Sequence, residues 1–267
     1  MMLSSKSLSN FIRIRTAELT QRTNSSHIGS VYSCADIISC IYSRHCIDSK
    51  PLSSTDCPTI ILSKGHACLA IYTALEYLSL LDDLDLDTYA STHTIFMSHI
   101  SHKVPNVQFS TGALGHGLGL AIGMSIGATA NNINNPIYVV LGDGELQEGS
   151  IWEALMYIGA KRVRNIIPIV DFNNQQSFGS VSETLSLDPL YDKIKSFGLE
   201  PVQCNGHDHN DLAEALTESS TYDLKPPFII AKTIKGFPID FMMDNHLWHY
   251  KSPNESQLIS IKKQLSH

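Results

Sequence analysis

A carboxylate and a carboxamide stand directly after two apolar stretches that each have the length of a buried strand. Residues 137–141 lead into Gly142-Asp143-Gly144-Glu145, and residues 166–170 lead into Asp171-Phe172-Asn173. Asp143 and Asn173 are 30 residues apart (173 − 143), the length of one strand–helix–strand unit. We therefore expect both side chains to reach the same edge of a parallel sheet.

The chemistry available to Asp143 and Asn173 is that of hard oxygen ligands. With a nearby main-chain carbonyl, they leave room in an octahedral shell for phosphate oxygens and water, which is how Mg²⁺ is usually held. The glycines beside Asp143 let the backbone approach a phosphate, and the helix that follows offers free N–H groups. Because Gly-Asp-Gly alone is also a common turn, the predicted metal–diphosphate site depends on Asn173 as well.

The elements that must position these residues alternate between short apolar strands and helices. Strands are expected at residues 59–62, 137–141, 166–170 and 228–231, and helices at residues 11–23, 35–42, 67–81, 115–130, 148–162 and 211–216. This order is typical of a parallel sheet flanked by helices. Since no repeat, low-complexity run or flexible linker divides the chain, we predict a single α/β domain over residues 1–267, with its ligand at the carboxyl ends of the strands.

Composition narrows the function further. The 267 residues carry a formal net charge of −7, with pI near 5.9, which argues against a nucleic-acid binder. No stretch approaches the roughly 20 apolar residues of a membrane span, and the first ten residues lack the apolar core of a signal peptide. The six cysteines form no C-x-x-C pair, so free thiols and a cytoplasmic location are expected.

The whole set of motifs resembles one enzyme family. A strand, Gly-Asp-Gly and an Asn about thirty residues later resemble the thiamine diphosphate fingerprint, and residues 142–149 (GDGELQEG) are similar to the transketolase version. Four further blocks follow the transketolase order: residues 26–30 (SHIGS), 62–66 (LSKGH), 110–117 (STGALGHG) and 232–236 (KTIKG), the last followed by Trp248-His249. The resemblance spans about residues 11–253. It implies the thiamine-diphosphate-binding fold and transfer of a two-carbon ketol unit between sugars.

The resemblance also implies roles for individual residues. Thiamine diphosphate would be held with Mg²⁺ (or Ca²⁺ or Mn²⁺), whose ligands would be the side chains of Asp143 and Asn173 and the main-chain carbonyl of Gln175. Cofactor contacts are expected from His66, Gly112, Ala113, Leu114, Asp143, Gly144, Glu145, Asn173, Gln175 and His249. The expected catalytic residues are His27, His99 and His249, which would line the mouth of the site, and His66, which would contact the diphosphate and the substrate region. Glu148 is also expected to be catalytic, because with Glu153 it matches acids that help to couple the two active sites of a dimer. Cleaving or forming a C–C bond next to a carbonyl needs proton transfer near neutral pH, and imidazole is suited to it.

One expected group is absent. In transketolases a buried glutamate that promotes deprotonation of the thiazolium carbon lies in a second domain, whereas this chain ends at His267. The resemblance therefore implies a second subunit that carries the pyrimidine-binding and C-terminal domains. It also implies self-association of this chain into the core of an α₂β₂ assembly.

Several positions differ from the family pattern: Ser26, Ile28, His116, Asn174, Ser177, Phe178, Phe237-Pro238 and Tyr250. Because some of them could reshape the donor pocket, two alternatives to sugar ketol transfer stay open. One is decarboxylation of a 2-oxo acid with acyl or ketol transfer to a specialised acceptor. The other is a catalytically degenerate half that binds cofactor or partner only. A dinucleotide site at residues 117–123 is rejected, since its glycine spacing is wrong by one residue.

Overall fold

A five-stranded, fully parallel sheet forms the centre of the computed structural model, which describes residues 4–45, 59–220 and 225–266. The strands are β1 (Thr59–Leu62), β2 (Ile137–Gly142), β3 (Ile166–Phe172), β4 (Glu200–Asn205) and β5 (Pro227–Lys232). Their order is β1-β2-β3-β5-β4, and the register pairs Gly142 with Asp171. The predicted parallel α/β sheet is confirmed. Because β2 and β3 are neighbouring parallel strands in this order, the residues that follow them lie side by side.

Helices cover both faces of this sheet. They are α1 (Ser5–Thr23), α2 (Ile28–His45), α3 (Leu69–Tyr77), α4 (Gly117–Ala130), α5 (Gly149–Lys161), α6 (Val181–Leu185), α7 (Leu190–Ser196), α8 (His209–Ser219) and α9 (Glu255–Leu265). Side chains alternate along each strand, so Tyr138 and Val140 pack into one core with α1, α2, α3, α8 and α9. Val139 and Leu141 pack into a second core with α4, α5, α6 and α7. The central strands β2, β3 and β5 are therefore apolar on both sides, which explains their continuous apolar runs in the sequence.

Local signals in the sequence fix several helix ends. Ser4 caps α1 by accepting a hydrogen bond from the Ser7 N–H, and Asn254 and Gln257 form a reciprocal capping box at the start of α9. Helix α1 ends at Asn24, whose φ of 51° lies in the left-handed region that terminates helices. These caps satisfy backbone groups that a helix end leaves unpaired.

The sequence patterns missed or misplaced some elements. Strand β4 was not predicted, because it lies at the sheet edge, contains Pro201 and alternates buried with exposed residues. The helix expected over residues 67–81 is a short 3₁₀ turn (Gly65–Ala67) followed by α3, which ends at Tyr77. Helices α6, α7 and α9 were also not predicted.

The cysteines and the helices agree with the expectations from composition. Cys34, Cys40, Cys68 and Cys204 are free and buried, whereas Cys46 and Cys57 lie outside the described residues. Among the helices of the described ranges, none has both the length and the apolar character needed to cross a bilayer.

Candidate active site

A cavity of about 270 Å³ opens where the chain leaves the carboxyl ends of β1, β2 and β3. Most of the residues predicted from sequence line it: His27, His66, His99, Gly112, Leu114, Asp143, Gly144, Glu145, Asn173, Gln175 and His249. Two predicted residues do not. Ala113 is exposed and lines a neighbouring groove between α4 and α5, and Glu148 is exposed at the N-cap of α5.

Asp143 is the carboxylate that β2 delivers to the cavity. It is 2% exposed. One of its oxygens accepts a hydrogen bond from the Gly144 N–H (2.8 Å), and the other accepts one from the Asn174 N–H. Burial, together with the neighbouring charge of Asp171, raises the pKa of Asp143 to about 7. Within the described residues no cationic side chain is bonded to this carboxylate, so an added cation would favour its charged form.

Asn173 reaches the same edge from β3. Its side-chain amide donates to Ser33 Oγ (3.0 Å) and to Asp171 Oδ2 (3.3 Å), and its side-chain oxygen accepts from the Gln175 N–H (2.9 Å). The turn from Asn173 to Gln175 therefore wraps around the Asp143 carboxylate, which the Asn174 N–H contacts. Sequence spacing predicted this juxtaposition correctly at the level of strands, and the structure brings the two turns into direct contact.

The oxygen donors at this edge fit a divalent cation bound to phosphates. Asp143 contributes one buried carboxylate, and the Gln175 Oε1 atom is buried with no hydrogen-bond partner in the described part of the chain. No group of three or more His, Cys, Asp or Glu side chains in that part is arranged to hold a metal ion. A cation here would therefore depend on amide or main-chain oxygens and on oxygens of its ligand, which is the pattern expected of Mg²⁺.

A buried ion pair forms part of the cavity floor, where its lysine lines the cavity. Lys64, from the residue 62–66 block, donates to Asp171 Oδ2, and Asp171 Oδ1 accepts from Ser33 Oγ (2.7 Å) and from Thr233. Burial opposes both charges, but mutual attraction outweighs it, so the pKa of Lys64 is raised and that of Asp171 is lowered. Because these hydrogen bonds satisfy the Asp171 carboxylate, the pair acts as a rigid support for Asn173.

Lys235 supplies a second buried ammonium, and this one has no carboxylate partner within the described residues. It is 2% exposed, lines the cavity, and lies 3.1 Å from the Gln176 carbonyl and 3.0 Å from His249 Nδ1. Burial, with the positive charge of Lys64, lowers its pKa to about 8. An ammonium held in this way is suited to an anionic ligand.

Four imidazoles meet at the mouth of the cavity. The His27 ring centroid lies 5.2 Å from that of His66, 5.7 Å from that of His99 and 5.1 Å from that of His249. Burial lowers the pKa of all four, to about 4 for His27 and about 3 for His249. At neutral pH the rings are therefore neutral and available to accept or donate single protons.

The tautomer of His249 follows from its neighbour. The Lys235 ammonium only donates, so His249 Nδ1 must accept and the ring proton must lie on Nε2. The backbone N–H of His27 donates to the His249 carbonyl (2.8 Å) while His27 has a φ of 76°. A non-glycine residue held in this region is a strained arrangement of the kind found at functional sites.

Glu145 is used by the protein itself. Its carboxylate, 1% exposed, accepts hydrogen bonds from Ser63, from the Gly115 N–H (2.8 Å) and from the Gly142 N–H (3.2 Å). Burial raises its pKa. Although Glu145 lines the cavity, these bonds tie together the three chain segments that surround the predicted diphosphate.

Sequence patterns assigned no role to Lys64, Asp171, Ser33 or Lys235, although both lysines lie in blocks that resemble the family. A buried lysine cannot be distinguished from an exposed one by residue type, and the partner of Lys64 is 107 residues away in sequence. For the two lysines, the usable signal in the sequence was their position inside those blocks.

Comparisons with known proteins agree with this geometry. The family described as transketolase, thiamine diphosphate binding domain, matches residues 4–267. One subunit of an apulose-4-phosphate transketolase from Actinobacillus succinogenes is 36% identical over 234 residues, 87% of this chain and 84% of the relative. Its counterpart from Phocaeicola vulgatus is 30% identical over 256 residues, 95% of this chain and 91% of the relative. A 6-deoxy-6-sulfo-D-fructose transketolase subunit from Clostridium sp. is 32% identical over 229 residues, 85% of this chain and 83% of the relative.

Solved structures give the same result for the fold. Transketolase from Campylobacter jejuni superposes with a TM-score of 0.90 at 28% identity, covering 98% of this chain and 42% of that chain. This chain thus corresponds to about two fifths of that transketolase. The match of the family over residues 4–267 and the two relatives named as apulose-4-phosphate transketolase subunits lead to one conclusion: the chain belongs to the transketolase family, as its thiamine diphosphate binding domain.

Proposed function

We propose that this chain binds thiamine diphosphate and a divalent cation and, with a partner subunit, transfers a two-carbon ketol unit between sugars. The observation that supports this most strongly is the contact between the turns carrying Asp143 and Asn173, which places two oxygen-bearing side chains at one sheet edge. The proposed domain covers residues 1–267, and its proposed metal is Mg²⁺, Ca²⁺ or Mn²⁺.

In this proposal, Asp143, Asn173 and the Gln175 carbonyl hold the cation, while the Lys235 ammonium faces the diphosphate. Backbone at Gly112 and Gly144 lies beside the same ligand. Thiamine diphosphate supplies the carbon nucleophile that carries the two-carbon unit. The chain's own contribution is to bind and orient this group with fixed charges and dipoles in a buried site.

The histidines at the mouth handle protons and sugar hydroxyls. Because the pKa of His27 and that of His249 are lowered by burial, both rings are neutral at working pH, and the His27 ring can accept a proton from a hydroxyl at the reacting carbon. His249 presents its Nε2 proton while Lys235 holds Nδ1. His66 and His99 complete a polar rim with two donor–acceptor rings.

The proposed partners are a second copy of this chain and a subunit with the pyrimidine-binding and C-terminal domains. Two relatives of nearly the same length are each named as one subunit of a transketolase, which makes each of them part of a larger enzyme. The groove between α4 and α5 also supports an assembly, because it is mainly apolar and is lined by Ile122, Met124 and the exposed Tyr157. Glu153 lines this groove, so the proposed role of Glu148 and Glu153 in coupling two sites belongs to this surface.

The first experiment tests cofactor binding. Thiamine diphosphate is titrated against the chain with and without Mg²⁺, for the wild type, for Asp143→Asn and for Asp192→Asn, a matched change on the exposed side of α7. We expect Mg²⁺-dependent binding that Asp143→Asn weakens by about 100-fold or more and Asp192→Asn leaves unchanged, in line with the loss of a charged ligand. Equal affinity of the Asp143→Asn variant and the wild type would contradict the proposed metal site.

The second experiment tests the reaction. The chain is co-expressed with a candidate partner subunit that carries the pyrimidine-binding and C-terminal domains. The pair is offered ketose donors bearing a phosphate or a sulfonate, as the names of the relatives suggest, with an aldose acceptor. Product formation from sugars alone supports ketol transfer. A requirement for a 2-oxo acid with release of CO₂ would support the decarboxylating alternative, and absence of any Mg²⁺-dependent cofactor binding would support the degenerate one.

The proposed compartment is the cytoplasm. Cys34, Cys40, Cys68 and Cys204 are buried free thiols, a state typical of proteins kept in a reducing environment. Cell fractionation with an antibody to the chain tests this directly.

A further inference from the structure

A second cluster of buried titratable groups lies outside the cavity, around Asp36 of α2. Its carboxylate accepts from the Arg13 guanidinium at 2.9 and 2.5 Å, and it also contacts His207 Nδ1 (2.8 Å) and His209 Nε2 (3.2 Å). The Asp36 and Arg13 side chains are 2% and 3% exposed, and those of His207 and His209 are 7% and 11% exposed. None of these four residues lines the cavity. The proposed reaction therefore leaves this cluster without a role.

Charge compensation of Asp36 does not require His207. Burial disfavours the Asp36 carboxylate, but Arg13 outweighs this effect and, with hydrogen bonds from both histidines, holds its pKa well below the usual range. Arg13 makes two bonds to the carboxylate, the arrangement in which a guanidinium is most effective. The imidazole of His207 must contribute something other than the counter-ion.

The other side of the His207 ring binds the backbone of a different segment. His207 Nε2 accepts a hydrogen bond from the Ile234 N–H (2.8 Å), and the ring stacks on Phe237 with centroids 3.9 Å apart and planes inclined by 17°. A backbone N–H only donates, so Nε2 must carry no proton and Nδ1 must carry one, which it donates to Asp36. His207 is therefore a neutral bridge from α2 to residue 234.

Ile234 immediately precedes Lys235, whose ammonium faces the cavity. The same segment is attached by the Gly236 N–H to the Gly29 carbonyl (3.2 Å) and by the Asp244 N–H to the Lys235 carbonyl (3.0 Å). Lys235 in turn contacts His249 Nδ1 (3.0 Å). A chain of direct contacts thus runs from Asp36 through His207 and the Ile234–Lys235 backbone to a catalytic histidine.

We propose that His207 is a positioning residue, which fixes residues 234–236 through a neutral imidazole and so holds the Lys235 ammonium and His249 at the cavity. The role of His207 in holding Lys235 and His249 for a ligand rests on the proposed diphosphate site, whereas its role in fixing residues 234–236 does not. His209 is the natural comparison, because it bonds the same carboxylate but its other ring nitrogen contacts Ser5 and Cys40 instead of this segment.

The test compares three variants of the full chain by hydrogen exchange of the amides of residues 233–237. His207→Leu removes the acceptor for the Ile234 N–H; His207→Gln keeps one donor and one acceptor; His209→Leu removes the other histidine bond to Asp36. Because His207→Leu removes one hydrogen bond to this segment, exchange there should rise by about three- to tenfold, the net contribution of a typical hydrogen bond. We expect His207→Gln to restore slow exchange and His209→Leu to leave it unchanged. Amides of β5 in the same samples correct for any loss of global stability.

The outcomes separate the inference from the proposed function. Equal exchange in His207→Leu and the wild type, or equal acceleration in His207→Leu and His209→Leu, overturns the positioning role whether or not the chain binds a cofactor. Thiamine diphosphate affinity is measured in parallel, with an expected loss of about tenfold for His207→Leu and recovery in His207→Gln. Faster exchange with no cofactor binding by the wild type supports the positioning role and contradicts the proposed function alone.

Discussion

Gly65 offers a sharp test of how the segments around the cavity are packed. It lies between Lys64 and His66, and a Cβ added there would be 2.5 Å from the carbonyl oxygen of Thr111 and 2.6 Å from its carbonyl carbon. These are backbone atoms, which cannot rotate away as a flexible side chain can. The substitution Gly65→Ala therefore forces two segments of the site apart.

The size of the effect follows from what holds these segments. The Gly65 carbonyl accepts from the Ile100 N–H (2.9 Å), and Thr111 Oγ1 donates to the Leu62 carbonyl (2.5 Å). Overpacking a well-packed site costs about 1–3 kcal/mol, and a backbone obstacle with fixed neighbours places this change near 3 kcal/mol. Relief would displace Gly112 and Leu114, both of which line the cavity. Since about 1.4 kcal/mol corresponds to a factor of ten, thiamine diphosphate affinity should fall about tenfold or more.

The assay is equilibrium unfolding in urea combined with titration of thiamine diphosphate in the presence of Mg²⁺. Gly127→Ala is the matched control, because it lies in α4 with nothing within 4 Å of the added Cβ. Alanine in a helix interior is favoured over glycine by about 0.5–1 kcal/mol, so the control should be neutral or stabilised. If Gly65→Ala unfolds at the same urea concentration as Gly127→Ala and binds cofactor equally well, the close packing described here is wrong.

Three further variants test the site. Tyr250 lines the cavity, and its ring centroid lies 4.8 Å from that of His249. If Tyr250 contacts the substrate alone, Tyr250→Gly should change the ratio of kcat/KM between ketose donors. The affinity for thiamine diphosphate should stay within about twofold of the wild type. Lys235→Gln should weaken thiamine diphosphate binding by about tenfold, the value of one charge-assisted bond, and leave binding of unphosphorylated thiamine unchanged; equal losses for both would exclude a phosphate contact. Burial lowers the pKa of His27 to about 4. Between about pH 6.5 and pH 4, the unfolded chain therefore binds a proton at this residue that the folded chain does not. The free energy of unfolding consequently falls as the pH drops through this range. In urea unfolding at several pH values, His27→Asn should flatten this slope by about 1 kcal/mol per pH unit; an unchanged slope would contradict a neutral, buried His27.

The elements nearest the site were the ones most readable in the sequence. Strands β2 and β3 are buried on both faces, so their apolar runs are continuous, and their ends fall where Asp143 and Asn173 were expected. Strand β4 lies at the sheet edge, and its half-exposed sequence carries no such run. A strand that is buried on both faces is thus easier to predict from sequence, because its continuous apolar run is consistent with few other structures.

Site residues followed a different rule. Motifs identified the groups that face the cavity, because those groups need particular residue types at particular spacings. They did not identify Ser33, Thr233 or His207, which act on the site through contacts spanning 138, 62 and 27 residues of sequence. Serine, threonine and histidine are common in loops and on surfaces, and only the fold reveals which of them meet a buried carboxylate or a backbone N–H.

The charges around the cavity explain why a metal is expected to matter for affinity. Lys64 lines the cavity but bonds to the buried Asp171, so the two charges largely offset each other for a ligand. The other charged side chains that line the cavity are the Asp143 and Glu145 carboxylates and the Lys235 ammonium, a set with no net positive charge. The surrounding imidazoles add no charge near neutral pH, because burial lowers the pKa of each one. Such a site has no surplus positive charge for a diphosphate and would repel it at Asp143. A divalent cation on that carboxylate reverses the local field, so we expect the affinity for thiamine diphosphate to depend on metal concentration more steeply than on ionic strength.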